Sequence, residues 1–388
     1  MAALSVIIVS YNVRYYLEQC LRSVAKASVG IDGVETIVVD NDSADGSVEY
    51  LEPLFERVRF IRAGGNIGFS KANNLGLREA TGRYVLFLNP DTILAENVLK
   101  DCIRFMDNHP GAGAAGVRMI NRDGTFARES RRAVPTPFVS FCKMSGLCSL
   151  FPKSRIFGRY YLGHLDPLEA NRIEVVSGAF MFVRKEALNK VGGFDESFFM
   201  YGEDVDLSYR ILKAGYENWY VPVFILHYKG ESTVKTSYAY ARVFYDAMMI
   251  FFNKHFRSYG RLFSAVVKAV ISVKTVLTYI VNNLPFRKNQ TANASLVWLY
   301  AGHQELTSRV CRLTGTADGC LISSRMSLPS GEQSRDFTLY DTSAFSYAEI
   351  LDNMNLNGGV ARIATYYPNS GILLTDSEVR IEDLSDND

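Results

Sequence analysis

The stretch GNIGFSKANNLGLREATGRYVLFLNPDTIL, residues 65–94, decides how the rest of the chain is read. Asn73–Ala80 has the spacing of a helix. Tyr84–Leu88 (YVLFL) is an unbroken apolar run that stops at Asn89-Pro90-Asp91. A strand without polar alternation is buried on both faces and needs a layer on each side. The same unit recurs upstream. Leu4–Val9 reads as a buried strand, and Tyr15–Ala27 as a helix with Tyr16, Leu17, Cys20, Leu21 and Val24 at helical spacing. Glu35–Val39 is a second buried strand that ends in Asp40, Ser47–Phe55 a helix, and Val58–Ile61 a third strand. Strands alternating with helices predict an α/β protein with a doubly wound, mostly parallel sheet. Ligands of such sheets bind beyond the carboxyl ends of the strands. That rule selects Ser10, Tyr11 and Asn12, then Asp40, Asn41, Asp42 and Ser43, then the stretch Asn66–Asn74 with Gly68 and Lys71, and finally Asp91.

The 388 residues suggest roughly two or three domains, and 48% apolar and 12% aromatic residues are enough for a sizeable core. A net charge of +1 gives no field that would draw the chain onto nucleic acid. The six cysteines, Cys20, Cys102, Cys142, Cys148, Cys311 and Cys320, form no C-x-x-C pair, so reduced thiols in a reducing compartment are expected. The opening MAALSVIIVSYN has no basic leader, and its short apolar run reads as a strand rather than a signal peptide.

Farther on, residues 126–172 read as an irregular loop or lid over the site, with Pro135, Pro137, Pro152, Pro167 and the basic pair Arg131-Arg132. Ile173–Val183 returns to strand character, as does Tyr220–Tyr228. Residues 261–283 form one polar face (Arg261, Ser264, Lys268, Ser272, Thr275, Asn282) and one apolar face (Val266, Val270, Val273, Leu277, Ile280) if helical. Lys268 and Lys274 argue against a spanning helix, which leaves an interfacial amphipathic helix or one packed on its own domain. The remainder has the marks of a small unit: strands at Arg335–Tyr340, Val360–Tyr366 and Gly371–Leu374, a helix at Tyr347–Met354, and an acidic tail. The expected division is 1–255, a helical connector at 256–300, and a small C-terminal α/β domain at 301–388.

FFMYGEDVDLSYR, Phe198 to Arg210, places Glu203, Asp204 and Asp206 directly after an aromatic run. Desolvated carboxylates are costly unless paired, hydrogen-bonded or in use with a raised pKa. The plain reading is a helix start, where acids are welcome, with Asp206 and Arg210 paired four apart. Asp40 can accept from a nucleobase ring N–H or a ribose hydroxyl, or can close an Asx turn. Pro90 keeps Asn89 extended and aims the Asp91 carboxylate at the crevice, where a diphosphate would make it a natural Mg²⁺ or Mn²⁺ ligand.

Taken in order, SVIIVSYN (5–12), ETIVVDNDSADGSVEYL (35–51), residues 65–94, VSGAFMFVRKEAL (176–188), VGGFDESFFMYGEDVDLSYRILKAGY (191–216) and HYKGES (227–232) resemble the family 2 glycosyltransferases. Within them they are most similar to the non-processive rhamnosyltransferase-type branch that builds bacterial surface polysaccharides. The resemblance implies a GT-A fold, a nucleotide-diphospho-sugar donor and inversion at the anomeric carbon. It implies Asp40 as the base-binding acid, Ser10–Asn12 and the Asn66-Ile67-Gly68 turn as pocket lining, and Asp204 as general base with Glu203 the runner-up. Asn89-Pro90-Asp91 stands where the family often has D-x-D or D-D, so Asp91 alone carries the metal expectation. His227 matches a position where related enzymes place a further ligand. Lys71 either reaches a phosphate or stays solvated. The acceptor implied is a polyprenyl-diphosphate-linked saccharide, and the place the cytoplasm, in peripheral contact with the inner face of the inner membrane.

Other classes fit less well. A nucleotidyltransferase would have a Gly-rich loop after the first strand, yet no glycine occurs before Gly30. A processive synthase would need spanning helices and Q-x-x-R-W, where this chain has YENWY at 216–220. A non-catalytic binding module or scaffold on the same fold is the remaining alternative; retention of Asp91 and the Glu203-Asp204 pair weighs against it.

Overall fold

Leu4–Ser10 (β1) is buried along its whole length, as a strand of alternating Val and Ile between two helical layers must be. The computed structural model describes residues 2–229, 238–256, 296–316, 321–323, 336–375 and 378–382. After β1 come α1 (Arg14–Ala27), β2 (Val34–Asp40), α2 (Ser47–Leu51), β3 (Val58–Arg62), α3 (Phe69–Glu79) and β4 (Tyr84–Leu88). The chain continues through β5 (Thr92–Leu94), α4 (Val98–Asn108), β6 (Ala112–Ile120), α5 (Pro137–Met144), α6 (Leu147–Leu150), β7 (Asn171–Ile173) and β8 (Phe180–Arg184). Then come α7 (Lys185–Val191), α8 (Glu203–Lys213), β9 (Glu217–His227) and α9 (Tyr238–His255).

The main sheet runs β3-β2-β1-β4-β8-β6-β9-β5, with β7 beside β9. β1 pairs in parallel with β2 and β4, so that Ser10 faces Asp40 and Ile8 faces Leu88. β1 and β2 therefore finish level, β4 stops two residues earlier, and the three ends form one rim. The antiparallel β8 and the long β9 extend the sheet beyond β4. This is the doubly wound, mostly parallel sheet that the alternation predicts.

Several elements depart from the expected reading. Ile173–Val183 is not one strand: β7 ends at Ile173 and β8 starts at Phe180. Between them the chain leaves the sheet, with the amides of Glu174 and Val175 bonded to the Arg132 carbonyl at 3.2 and 2.9 Å. The 126–172 segment carries α5 and α6, with Thr136 capping α5 and Pro137 in its first turn. β6, of sequence AGAAGVRMI, gives no strand signal because its small residues serve close approach. A Cβ on Gly113 would lie 2.6 Å from Ile211 and from Tyr216, so a larger residue there would push α8 off the sheet.

A second sheet, ordered β11-β10-β12-β13-β14-β15, is built from β10 (Trp298–Ala301), β11 (Leu321–Ser323), β12 (Phe337–Asp341), β13 (Arg362–Tyr367), β14 (Ile372–Leu374) and β15 (Val379–Ile381). It begins at Trp298, ahead of the boundary expected at 301, because the LVWLY run belongs to its first strand. One face has its own core around Trp298, Tyr300, Phe337 and Tyr366. The other face is not independent. Ile350, Leu351 and Met354 of the helix Tyr347–Leu356 share one buried cluster with Leu17 and Leu21 of α1. Gln19 donates to Thr365 Oγ1 at 2.7 Å, and Tyr16 to the Thr375 carbonyl at 2.9 Å. Glu96 accepts from the Tyr347 and Ala348 amides at 2.9 and 2.8 Å, an acid from the first unit at a helix N-terminus of the second. Residues 261–283 and Cys320 lie outside the described residues, and among the described ones no helix is long and apolar enough to cross a membrane.

Asp206, fully buried on α8, accepts from Arg210 Nε at 2.6 Å, Lys254 Nζ at 2.9 Å and His255 Nε2 at 2.6 Å, which fastens α9 to α8. Asp206→Ala leaves these basic groups facing one another without their acceptor and should cost about 3–5 kcal/mol. The check is a lower denaturant midpoint at unchanged slope; a loss under about 1 kcal/mol would mean that α9 holds on by its apolar face alone.

Candidate active site

At the rim where β1 and β2 end, two loops are laced together. Asn12 (φ 55°) and Asp42 (φ 72°) adopt left-handed backbone. Asn12 Oδ1 accepts from the Ala44 amide at 2.7 Å, the Asn12 amide donates to Ser43 Oγ at 2.9 Å, and the Ser43 amide donates to Asp40 Oδ2 at 3.0 Å. Asn41 reaches the next loop, donating to Asn66 Oδ1 at 2.9 Å and accepting from the Ile67 amide at 3.0 Å. Gly68 then opens α3 at φ 86°, and a Cβ there would lie 2.7 Å from the Phe199 ring, so only glycine fits. A cavity of about 180 Å³ results, lined by Tyr11, Asn41, Asn66, Gly68, Asn89 and Phe199. Along the rim, Ser10 Oγ, Asp40 Oδ1 and Ser70 Oγ are buried without a hydrogen-bond partner among the described residues. Buried polar atoms are nearly always satisfied, so such a group calls for a partner beyond the described residues.

Of the expected residues, Ser10, Asn12, Asp40, Lys71 and Asn74 do not line this cavity. Lys71 is exposed on α3. Asn74 is bonded into the fold: it accepts from the Phe194 amide at 2.9 Å, donates to the Phe194 carbonyl at 2.8 Å, and donates to Glu196 at 3.1 Å. It moors α3 to the loop before Phe198.

Asp91 and His227 meet through sheet register. β5 pairs antiparallel with β9, with Thr92 opposite His227, and the Tyr228 amide donates to the Asp91 carbonyl at 3.0 Å. His227 Nε2 is then 3.3 Å from Asp91 Oδ1 and 3.3 Å from Asn89 Nδ2, while His227 Nδ1 is buried without a partner among the described residues. Among the described residues no group of three or more acids, histidines or cysteines is gathered as a metal cage. One carboxylate and one imidazole nonetheless suit a divalent ion that takes its other ligands from phosphate oxygens and water, so the donor set fits Mg²⁺ or Mn²⁺ brought in with a diphosphate.

The acids of α8 line a second cavity, of about 110 Å³, together with Arg132, Pro135, Tyr160 and Tyr201. Tyr201 (φ 70°) and Gly202 (φ 82°) bend the chain into the helix. Asp204 is held from three sides: Arg132 forms an ion pair with Oδ2, the Gly178 amide donates to Oδ2 at 3.1 Å, and the Val205 amide donates to Oδ1 at 2.8 Å. Burial works against the Arg132 charge, and the Asp204 carboxylate outweighs it, so the guanidinium holds its proton more tightly than usual. Glu203 is left differently. Its Oε2 is buried without a partner among the described residues, and burial, then the neighbouring Asp204 carboxylate, push its pKa up to about 8.

The aromatic run before these acids is the wall between the two cavities. Phe199 and Met200 line the first, Tyr201 and Gly202 the second, and Phe198 is buried beneath with Val205 and Phe251. Sequence reasoning missed Arg132 and Tyr160 as cavity lining; the only signal was the basic Arg131-Arg132 pair in a stretch without acids. A larger groove of about 720 Å³ opens beside Gly33, Val34 and Val58, at the amino-terminal ends of β2 and β3, the wrong end of the strands for a ligand of this sheet.

With this geometry in place, comparison with known proteins identifies the class. A family model described as glycosyl transferase family 2 matches residues 5–192. The N-acetylglucosaminyl-diphospho-decaprenol L-rhamnosyltransferase of Mycobacterium tuberculosis is 30% identical over 260 residues, which covers 64% of this chain and 83% of that one. The rhamnosyltransferase WbbL of Escherichia coli is 30% identical over 178 residues, or 43% of this chain and 62% of that one. A solved mannosyltransferase, PcManGT from Pyrobaculum calidifontis in complex with GDP-Man and Mn²⁺, aligns at 18% identity and a TM-score of 0.47 over 73% of this chain and 76% of that one. The chain belongs to glycosyl transferase family 2. It is a glycosyltransferase, as the sequence resemblance implied, built on the doubly wound, mostly parallel sheet described above.

Because the pKa of Glu203 is raised on folding, its protonated form stabilises the fold at low pH, and that contribution is lost as pH rises from about 4.5 to about 8. Glu203→Gln, which stays neutral, should therefore gain on the wild type by up to about 1.4 kcal/mol per pH unit across that window and level off above it. Denaturant melts at pH 5, 6.5 and 8 read this directly; parallel curves would mean that Glu203 is solvated.

Proposed function

We propose that this chain transfers one sugar per encounter, with inversion, from a nucleotide-diphospho-sugar to a hydroxyl of a saccharide carried on polyprenyl diphosphate, in the assembly of a bacterial surface polysaccharide at the cytoplasmic face of the inner membrane. The observation that carries the reading is the pair of cavities on either side of the Phe199–Gly202 wall: one lined by the strand-end residues Tyr11, Asn41, Asn66 and Asn89, the other holding two buried acids. The rim supplies what a nucleotide needs. Asp40 Oδ1 accepts from the base or ribose, and Tyr11, Asn41 and Asn66 line the space beside it. Similarity to the N-acetylglucosaminyl-diphospho-decaprenol L-rhamnosyltransferase of Mycobacterium tuberculosis supports the acceptor class.

The base follows from the electrostatics. At pH 7 Glu203 still carries its proton, since its pKa is about 8, so it cannot take another. It acts instead as a hydrogen-bond donor in the cavity. Asp204, aimed by Arg132 and the Gly178 amide, accepts the proton from the acceptor hydroxyl as that oxygen attacks C1 on the face opposite the leaving group. The C1–oxygen bond to the diphosphate breaks as the new one forms, through an oxocarbenium-like state. Asp91 and His227 would hold the Mg²⁺ or Mn²⁺, which when bound neutralises charge on the departing diphosphate.

Asp204→Asn should lower transfer by about 10²–10⁴-fold with donor affinity nearly unchanged; Glu203→Gln should keep most of the rate at pH 7. Equal loss in both variants would reverse the assignment. Thermal-shift titration with UDP, dTDP, GDP and CDP, each with Mn²⁺ and with EDTA, tests the donor end. One nucleotide should raise the melting temperature, and EDTA should abolish the shift. A shift that survives EDTA removes the metal, and no shift with any nucleotide points to a non-catalytic module.

A further inference from the structure

The segment between the two sides of the acid cavity has an unusual surface. It leaves the cavity at Pro135 and returns to it at Tyr160, and both residues line that cavity. In between, Phe138, Phe141, Leu150, Phe151, Ile156 and Phe157 are all exposed, six of the fifteen large apolar side chains that are exposed among the described residues. Phe138 and Phe141 are three apart on α5, so they share a helix face. The Phe151 and Phe157 rings lie 5.7 Å apart in the loop after α6. Single exposed hydrophobics are ordinary, but a concentration of them marks a surface that is covered in use.

The charges of the segment are of one sign. From Ser130 to Leu165 there is no Asp or Glu, while Lys143, Lys153, Arg155 and Arg159 punctuate the apolar positions. Arg159 is paired with Glu174 at 2.6 Å, and Lys143 lies over the Tyr161 ring at 3.6 Å. Lys153 and Arg155 are exposed, and among the described residues no acid is paired with either. Large aromatic and aliphatic side chains interleaved with cations are the composition of a segment that lies in a bilayer interface and meets anionic headgroups. A protein partner would be expected to match the apolar area with polar rim contacts of both signs.

We infer that the exposed face of residues 138–157 docks the enzyme onto an anionic lipid surface, with Phe151, Ile156 and Phe157 entering the headgroup layer and Lys153 and Arg155 meeting its phosphates. Because the segment is rooted at Pro135 and Tyr160, docking brings the Glu203–Asp204 cavity to the membrane plane, where a lipid-carried acceptor presents its sugar; this last clause rests on the proposed function, whereas the docking itself does not.

The test is co-sedimentation of the full chain with vesicles of phosphatidylcholine alone and of phosphatidylcholine with 30% phosphatidylglycerol. The wild type should bind the anionic vesicles at least tenfold more tightly, with the difference shrinking in high salt. Phe151→Ser with Ile156→Ser and Phe157→Ser should lower that binding about tenfold or more. Lys153→Glu with Arg155→Glu, on side chains already in water, should reduce it to the level of the neutral vesicles, and this variant keeps the test sound if the triple change misfolds. Wild-type levels of binding in both variants, or no vesicle binding by the wild type, overturn the inference. So does a dimer in solution that the same substitutions dissociate without any effect on vesicles, which would make the face a contact between copies. Vesicle binding lost in the variants of a chain that transfers no sugar would sink the proposed function and leave the docking surface standing.

Discussion

The ion pair between Arg132 and Asp204 is the contact around which the site is arranged. It joins elements that are distant in sequence: the segment that leaves β6, the loop between β7 and β8, and the first turn of α8. Two opposite charges out of water are costly to separate, so each fixes the other. The backbone repeats the bond, since the Arg132 carbonyl accepts the amides of Glu174 and Val175 while the Gly178 amide donates to Asp204. The split between β7 and β8 follows from this, because a continuous strand could not turn its amides toward Arg132 and Asp204. Glu203 follows from it too. With Arg132 committed to Asp204, the adjacent acid has burial and a neighbouring negative charge but, among the described residues, no cation of its own, and its pKa is raised.

The second constraint is the rim formed by the ends of β1, β2 and β4. Parallel register brings Ser10 opposite Asp40, and Asn89 follows directly on β4. Antiparallel register between β5 and β9 brings Asp91 to His227. The two registers meet at the Phe199–Gly202 wall, whose anchorage is Gly68 against Phe199 and the Phe69 amide on the Phe199 carbonyl at 2.7 Å. The loop that opens α3 and the acid-bearing helix are thereby coupled through one short piece of backbone.

What could be read from the sequence was whatever depended on local pattern. β1, β2 and β4 are unbroken apolar runs, and each is found within a residue or two of its expected place. The rim residues Tyr11, Asn41, Asn66 and Gly68 fell out of the rule about strand ends, and the structure brings them round one cavity with Asn89. What could not be read depended on distant partners. Arg132 meets Asp204 across 72 positions, and nothing local distinguishes it from Arg131. Asn74 looks like its neighbours in the loop-to-helix stretch, but its partners are Phe194 and Glu196, 120 and more residues away. β6 hid because its alanines and glycines record how near other elements come rather than strand preference. The C-terminal sheet was legible as strands and a helix, yet not as a neighbour of α1, since the apolar face of Tyr347–Leu356 does not say which helix it will meet.

That neighbour relation changes what kind of object the molecule is. α1 buries Leu17, Leu21 and Val24 in the same cluster as the second unit, and Tyr16 and Gln19 are hydrogen-bonded into that unit. The helix begins four residues after Ser10, so the loop that borders the rim cavity is tethered to a scaffold clamped from both sides. The two sheets should therefore melt as a single cooperative body rather than one after the other, and a chain cut ahead of Trp298 would leave α1 with an apolar flank open to water. The small C-terminal unit is in this sense the far wall of the catalytic domain.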